Sequence, residues 1–382
     1  MRCCFSVVVL GLGLAATFGV DDSAEKGPDP DQPYTAKKSN PVSYEVSFSA
    51  VVTPPTHAKL LKVWMPLPKS DTGQEVEEGQ LSTGPIRVQP KVTREPLFGN
   101  KFAYFEFDHP EGAQIISHTF KITLWELRWD VDPNKVGAVH KWPRGFDRYL
   151  RSEQTVVVDE RFREVAREVV PHRQGEATDL AAVMDWVNAH MTYDHAAGSL
   201  KADAVHALKD CKGHCSDYHG LCAAVGRALG YPTRVTYGIN TFPKNSPSHC
   251  KVEAFLPPYG WVSFDVSETQ NLVNRIKKDD QLHEKQKEQL IRAANERLRA
   301  GFRDNTWFVQ TKGTDYDLAP PASKKVPVVR TIYVEADGEA LPDPDPADPT
   351  KRSFSWMTLH SYKPDKPVTY PFKDYTSLGT PR

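Results

Sequence analysis

The chain has 382 residues, of which 39% are hydrophobic and 25% are charged, and its formal net charge is -1 at pH 7. This length allows two or three ordinary domains, and the composition excludes a globally disordered chain. The near-neutral charge provides no basic field for nucleic acid or an anionic membrane, so the partner class has to be inferred from a site.

Residues 1–19 have the layout of a secretory signal peptide. Arg2 precedes an apolar run of about 16 residues, and small residues near 16–19 are suited to cleavage. An uncleaved membrane anchor is the alternative, although the run is short for a hydrocarbon core of about 30 Å. We expect an extracytoplasmic protein, periplasmic or secreted, that has no membrane insertion after processing.

The next part of the chain predicts β-structure. Residues 20–40 are polar and rich in proline, which is typical of a linker. From residue 41 the pattern has a period of two and predicts a strand whose buried face is formed by Val42, Tyr44, Val46 and Phe48. Further strand candidates are residues 60–65, 101–107 and 119–127. Their spacing predicts an antiparallel β-sandwich over residues 41–132.

Helical periodicity follows. Residues 161–170 and 178–191 have apolar positions at helical spacing and predict two helices. Residues 278–300 are rich in Lys, Glu, Gln and Arg, and we expect an exposed surface helix, with a partner-docking helix as the alternative. Residues 326–335 and 352–361 predict two further strands near the end of the chain.

The cysteines of the processed chain are clustered. Four of the six remain after processing, and they lie within about 40 residues of each other, whereas disulfide staples are normally spread through a small domain. They are Cys211, Cys215, Cys222 and Cys250. The clustering favours a site over a disulfide framework, although one local disulfide stays possible. Cys211 has three interpretations, a plain loop thiol, a disulfide partner or a resting-state lock on Cys215, and we favour the first.

Cys215 is the candidate nucleophile because of its place in the local structure. Apolar residues at helical spacing predict a buried helix that starts at or just after Cys215 and ends at Gly230. A helix start has free N–H groups and a partial positive charge, which stabilise a thiolate and also an oxyanion. Cys222 lies on the apolar face of the same helix, so we assign it to core packing.

A thiolate that cleaves amides also needs an imidazole and a group that orients it. His249 begins a predicted strand, and Asp265 ends the strand that returns after a Pro-Pro-Tyr-Gly turn. The two side chains share a face only if the hairpin loop has three or five residues or the hairpin contains a bulge, and not with a symmetric four-residue loop. We expect a three-residue loop at residues 258–260 to place Asp265 opposite Lys251 and diagonal to His249, and a five-residue loop to place it opposite His249.

Four sequence blocks resemble the transglutaminase-like superfamily, in its bacterial branch. They are G-H-C-S-D-Y-H, R-A-L-G-Y-P-T-R-V, S-H-C-x-x-E and Y-G-W-V-x-x-D-x-S-E, in the order found in the family. The resemblance covers roughly residues 175–270. It implies a papain-like core in which Cys215 is the nucleophile, His249 the general base and acid, and Asp265 the orienting carboxylate. It also implies transamidation, or hydrolysis of amide bonds, through a thioester.

Two positions depart from the family pattern. Lys251 stands where many relatives have an aromatic residue, so it either changes the pocket or extends to solvent. Residues 305–307 stand where an Asn-Arg pair often precedes a strand. Both departures leave the substrate preference open.

Other interpretations concern the residues around the cysteines. Two of the cysteines and the nearby histidines fit the spacing of structural zinc only loosely, and we expect no metal and no cofactor. Tyr193 is assigned to packing, with a hydroxyl near the oxyanion as the alternative. Asp217 is assigned to the helix start. Glu253 shares the strand face of His249 and either supports the site or meets a basic neighbour.

The sequence therefore predicts an α+β protein with an exported, thiol-dependent acyl-transfer activity on amide or peptide bonds. A peptidase or amidase is favoured, with a crosslinking transglutaminase and a non-catalytic binding module as alternatives. We expect a protein or peptide substrate and make no prediction of the oligomeric state. The predicted segments are a signal peptide (1–19), a linker (20–40), a β-sandwich (41–132), a catalytic core (133–320) and C-terminal β segments with a tail (321–382).

Overall fold

The computed structural model describes residues 27–243, 247–344 and 355–379, so the predicted signal peptide lies outside the described residues. The helices are α1 (Glu160–Val169), α2 (Glu176–His190), α3 (Ala204–Asp210), α4 (Cys215–Ala228), α5 (Val266–Lys278) and α6 (Glu284–Ala300). The strands are β1 (Lys37–Val52), β2 (Leu60–Leu67), β3 (Gln74–Val76), β4 (Gln80–Gly84), β5 (Lys91–Arg94), β6 (Lys101–Asp108), β7 (Gln114–Arg128), β8 (Thr192–Tyr193), β9 (Lys212–Gly213), β10 (Thr233–Asn240), β11 (Ser248–Leu256), β12 (Gly260–Phe264), β13 (Phe302–Arg303), β14 (Trp307–Lys312), β15 (Tyr333–Ala336), β16 (Glu339–Ala340) and β17 (Trp356–Pro364).

Two antiparallel sheets pack face to face in the N-terminal part of the fold. One has the order β13-β7-β1-β17, with β3 and β4 also paired to β7, and the other has the order β16-β15-β2-β6-β5. The apolar residues that alternate along β1 are buried, as the period of two predicts. The strand begins at Lys37, inside the segment predicted as a linker, and the described residues before it also pack on the fold, since Tyr34 is buried.

Strands from the end of the chain complete both sheets. β15 pairs with β2, and β17 pairs with β1 over nine residue pairs. The first of the two predicted C-terminal strands is therefore shorter than expected, because β15 begins at Tyr333, and the second extends to Pro364. Their inward side chains, among them Val334 and Trp356, share the core between the two sheets.

A second unit consists of helices and a four-stranded antiparallel sheet of order β12-β11-β10-β14. α4 packs on β10 and β11, and it is surrounded by α1, α2, α3 and α5. It is consequently buried along its whole length except at its last residue. Gly220 permits this close packing, because a Cβ there would lie 2.3 Å from the backbone oxygen of Ala202.

The predicted helices are present with shifted bounds. The helix expected over residues 278–300 begins only at Glu284, and its buried side, which includes Leu290, Ala294 and Leu298, makes it less exposed than predicted. The preceding helix, α5, was not predicted. Among the described residues, no helix has the length and apolar character needed to span a membrane.

The loop of the β11–β12 hairpin has an odd number of residues, which is what places His249 and Asp265 on the same face of the sheet. Leu256 pairs with Gly260, so the loop consists of residues 257–259, one position earlier than predicted. A loop at 258–260 would have placed Asp265 opposite Glu253, so the predicted pairing with Lys251 requires this earlier loop. Val252 pairs with Phe264, and the same register brings Lys251 beside Asp265. The three-residue alternative is therefore the one adopted.

Candidate functional site

Cys215 is the first residue of α4, and its side chain is buried. His214 is the N-cap residue, and its Nδ1 lies 3.1 Å from Cys215 Sγ. Asp217 accepts a hydrogen bond from the backbone N–H of His214 at 2.8 Å, which completes a capping box. The thiol is thus held at a helix start with the geometry that the sequence predicts.

The environment of Cys215 favours its thiolate. Burial alone would raise the pKa, but a hydrogen bond with Cys250 and the imidazoles of His214 and His249 lower the pKa of Cys215 well below its ordinary value. Cys222, on the same helix, has no such neighbours, and burial raises its pKa. The structure therefore separates the two cysteines chemically.

His249 and Asp265 are in direct contact, as the hairpin geometry predicts. Nε2 of His249 lies 2.7 Å from Oδ2 of Asp265, and both side chains are buried. Trp307 donates from its indole nitrogen to the backbone oxygen of His249 at 3.1 Å, which anchors the strand at this point. Among the described residues, Nδ1 of His249 has no hydrogen-bond partner within the usual geometric limits.

The charge state of His249 depends on its neighbours. Burial lowers the pKa, but the charges of Asp265 and Cys215 outweigh that effect and raise the pKa of His249 to about 10. Burial likewise disfavours the charged form of Asp265, yet Lys251 and His249 hold the pKa of this carboxyl well below its usual range. These shifts favour a thiolate–imidazolium pair with an ionised carboxylate behind it.

Asp265 is also the N-cap residue of α5. Its Oδ1 accepts from the backbone N–H of Glu268 at 3.1 Å and from the Ser267 hydroxyl at 3.3 Å. His219 Nε2 lies 3.6 Å from the same oxygen. Both oxygens of the carboxylate are therefore fixed, one toward the helix and one toward His249.

From the sequence we interpret His219, like His214, as a site-wall or helix-surface residue, and the structure places its buried imidazole beside the triad. Its Nε2 accepts a hydrogen bond from the backbone N–H of Val266 at 3.1 Å, and its Nδ1 lies 3.5 Å from Cys250 Sγ. Burial lowers the pKa of His219 to about 4, so this imidazole is neutral at pH 7. The spacing of four residues after Cys215 was the signal available, since it puts both on one helix face.

Lys251 does not extend to solvent. Its side chain is 1% exposed, and Nζ lies 2.6 Å from Asp265 Oδ2 and 2.9 Å from Asp304 Oδ1. Asp304 was not singled out from the sequence, because it is 53 positions away from Lys251. Asp304 also accepts from the hydroxyl of Thr306, in the segment that departs from the family pattern.

The remaining predicted residues have structural surroundings. Cys211 is a free thiol in a left-handed backbone conformation, and His190 Nε2 lies 3.1 Å from its sulfur. Tyr193 packs against the rings of His214 and Tyr218, with centroids 5.7 and 6.1 Å away. In the part of the chain that the structure describes, no group of His, Cys, Asp or Glu side chains is arranged to hold a metal ion.

Glu253 meets a basic neighbour rather than the site. Its carboxylate accepts from Arg234 Nε and from the Tyr34 hydroxyl, each at 2.7 Å. Lys251, two residues before Glu253 on the same face of β11, is bound to Asp265. β11 therefore carries two buried ionic clusters, of which one includes His249.

Comparison with known proteins agrees with this arrangement. The sequence profile of the transglutaminase-like superfamily matches residues 163–266, which include Cys215, His249 and Asp265. No curated protein matches the chain significantly in sequence.

Solved structures provide a further comparison. A proposed cysteine protease from Cytophaga hutchinsonii shares 13% identity, covers 87% of this chain and 94% of its own, and superposes with a TM-score of 0.58. The periplasmic domain of TgpA from Pseudomonas aeruginosa shares 16% identity, covers 62% of this chain and 91% of its own, and has a TM-score of 0.32. The first similarity confirms the α+β fold; the second is too low to support an inference. This chain carries a transglutaminase-like domain at residues 163–266 of an α+β fold.

Proposed function

We propose that this protein is an exported thiol-dependent enzyme that cleaves amide or peptide bonds through a thioester on Cys215. His249 is the general base and acid, and Asp265 orients its imidazole. The transglutaminase-like profile over these residues supports an acyl-transfer chemistry, and the description of the Cytophaga protein is in accord with a peptidase. The signal-peptide layout of residues 1–19 supports export.

One observation carries the proposal. His249 has one ring nitrogen bound to Asp265 at 2.7 Å, while the other is buried with no partner within ordinary hydrogen-bond limits among the described residues, and the neighbouring Cys215 acts on this imidazole through its charge and its hydrogen bonding. Buried polar groups in folded proteins are normally hydrogen-bonded, so an exception requires an explanation. The Cys215 thiolate, which raises the pKa of His249, provides one, because proton transfer between thiol and imidazole needs that nitrogen.

The chemistry follows from the positions of the groups. The Cys215 thiolate attacks the substrate carbonyl, and backbone N–H groups at the start of α4 stabilise the tetrahedral oxyanion. The His249 imidazolium gives its proton to the leaving amine as the thioester forms. His249 then takes a proton from water, which attacks the thioester and releases the acid. If an amine replaces water at this step, the product is a new amide, which is the transglutaminase alternative.

The proposal is tested by product analysis on the processed protein. A peptide library, a glutamine-containing donor peptide and monodansylcadaverine are incubated separately and together, and products are read by mass spectrometry and an ammonia assay. We expect trimmed peptides or released ammonia, with loss of both in Cys215→Ala and retention in the matched variant Cys222→Ala. Amine incorporation that exceeds hydrolysis would favour the crosslinking alternative. Absence of any Cys215-dependent product would support a non-catalytic binding module instead.

A further inference from the structure

A buried lysine lies directly behind the proposed catalytic residues. Lys251 is two residues after His249 on β11, so both side chains are on the same face of the strand. Its Nζ is 2.6 Å from the Asp265 oxygen that also binds His249 at 2.7 Å. The second partner, Asp304, lies 2.9 Å away on the opposite side.

This arrangement is costly unless the charges are compensated. A buried ammonium needs paired anions and hydrogen bonds, because transfer from water to the protein interior strongly disfavours a lone charge. The two carboxylates meet that need and raise the pKa of Lys251, against the effect of burial. An apolar side chain would fill the position with no charge at all. The lysine therefore introduces an electrostatic effect that packing does not require.

The outer side of Lys251 is closed by aromatic rings. Nζ lies 5.0 Å from the ring centroid of Trp307 and 4.8 Å from that of Phe372. The C-terminal segment that carries Phe372 is held in place because Arg297 donates to the backbone oxygen of Pro371 at 2.9 Å. Water is thereby kept from the ammonium, so its charge acts on its neighbours with little screening.

We propose that Lys251 is a positioning residue for the thiolate–imidazolium pair, held between Asp265 and Asp304. It fixes the Asp265 carboxylate toward Nε2 of His249, and its positive charge offsets the anions around the imidazole. This inference rests on the proposed function of Cys215, His249 and Asp265.

The charges near His249 determine the direction of the effect. With the thiolate formed, three anions (Cys215, Asp265 and Asp304) surround two cations (His249 and Lys251). Further titratable or charged groups of the described residues face this cluster from the surrounding elements. They are His214, Asp217 and His219 around the start of α4, Cys250 from β11, Tyr237 from β10, Tyr44 from β1, Tyr193 from β8, Glu268 from α5, Arg297 from α6, and Tyr370 and Lys373 from the C-terminal segment. Removing the Lys251 charge makes the site more negative, so Cys215 and His249 both hold their protons to higher pH. Neutralising Asp304 has the opposite effect.

The test measures the rate of Cys215 alkylation by iodoacetamide against pH, resolved by peptide mass spectrometry, in wild type, Lys251→Met, Lys251→Arg and Asp304→Asn. Thermal unfolding of each variant establishes that it is folded. We expect both inflections of the rate profile to move up by about one pH unit in Lys251→Met and down in Asp304→Asn. Lys251→Arg keeps the charge and stays near the wild-type profile. Where the wild type turns over an amide, we also expect kcat to fall by up to about 100-fold in Lys251→Met with little change in KM.

The outcomes separate this inference from the proposed function. Unchanged inflections in folded Lys251→Met and Asp304→Asn, or shifts in the same direction, would overturn the role of Lys251. If Lys251→Met does not fold, Lys251→Gln takes its place: the same upward shift is expected, and an unchanged profile in the folded variant would overturn the role of Lys251. If the wild type shows no amide turnover, the proposed function fails, while the alkylation profile still measures how Lys251 acts on the pair.

Discussion

Two ends of one strand show what distinguishes a structural charge cluster from a reactive one. At the Glu253 end of β11, Arg234 and the Tyr34 hydroxyl each bind the carboxylate at 2.7 Å, and the guanidinium stacks on Trp261 at 3.9 Å. At the His249 end, carboxylates and an ammonium are equally buried, but one imidazole nitrogen has no partner among the described residues. Buried charge alone therefore does not identify a site. What distinguishes the His249 end is a thiol whose pKa is lowered and an imidazole whose pKa is raised by each other's charge.

The sharpest way to test this contrast is to remove the thiol. In Cys215→Ala we expect amide cleavage to fall by about 10⁴-fold or more, because the nucleophile of the acyl transfer is gone. The free energy of unfolding should change by only about 1 kcal/mol, as expected for the loss of one buried sulfur. Steady-state kinetics and denaturant unfolding measure the two quantities. Residual activity near the wild-type level would contradict the assignment.

Substitution of Asp265, the carboxylate bound to His249, is expected to have the next largest effect on activity. Asp265→Asn removes the negative charge that favours the imidazolium of His249, so its pKa falls from about 10 and the ion pair is weakened. We expect kcat to drop by about 10³-fold. The same substitution leaves Lys251 with Asp304 as its carboxylate partner. A pH–rate profile that keeps the wild-type shape and height would argue against an orienting role for Asp265.

Substitution of Glu253, at the other end of β11, is expected to lower stability and leave activity unchanged. Glu253→Gln leaves the buried Arg234 without its carboxylate, and we expect a loss of about 3 kcal/mol in the free energy of unfolding. Activity per folded molecule should stay within about twofold of wild type, because Glu253 does not touch His249 or Asp265. Unfolding in urea and active-site titration measure both. A large fall in kcat with normal stability in Glu253→Gln would show that the Glu253 cluster takes part in catalysis, contrary to this account.

The smallest effect is expected from the second cysteine of α4. Cys222→Ala removes a buried sulfur from the core cluster, and a cost of about 1 kcal/mol is expected from the lost packing. Activity should be unchanged, so this variant is the matched control for Cys215→Ala. A comparable loss of activity in both variants would mean that the helix, rather than one thiol, is what matters.

The sequence predicted those features that depend on local chemistry. The start of α4 near Cys215 follows from the apolar spacing, and its end follows from Gly230. The contact between His249 and Asp265 follows from the period of a strand and a hairpin loop with an odd number of residues. These signals lie within a few residues of what they specify. The α+β class and the buried face of β1 were accessible for the same reason.

Features that join distant segments were not predictable in this way. Periodicity shows that residues near Trp356 form a strand, but it does not show that β17 pairs with β1. In the same way, the sequence showed Lys251 only as a departure from the family pattern. Its partner Asp304 lies in the connection between β13 and β14, far away in the chain. The helix α5 was not predicted because Asp265, its N-cap, was assigned to the end of a strand and to the triad, with a turn or cap role only as the alternative.

The most direct test of the account is the reactivity of Cys215 at low pH, compared within one sample with that of Cys222. Its neighbours lower the pKa of Cys215 well below the ordinary value, whereas burial raises the pKa of Cys222. The account therefore predicts a reactive Cys215 thiolate already at pH 6. We predict that iodoacetamide modifies Cys215 at pH 6 within about twofold of its rate at pH 8, with Cys222 unmodified at both. An ordinary thiol would slow by about 100-fold between these values. Such a slowing at Cys215 would contradict the thiolate–imidazolium pair.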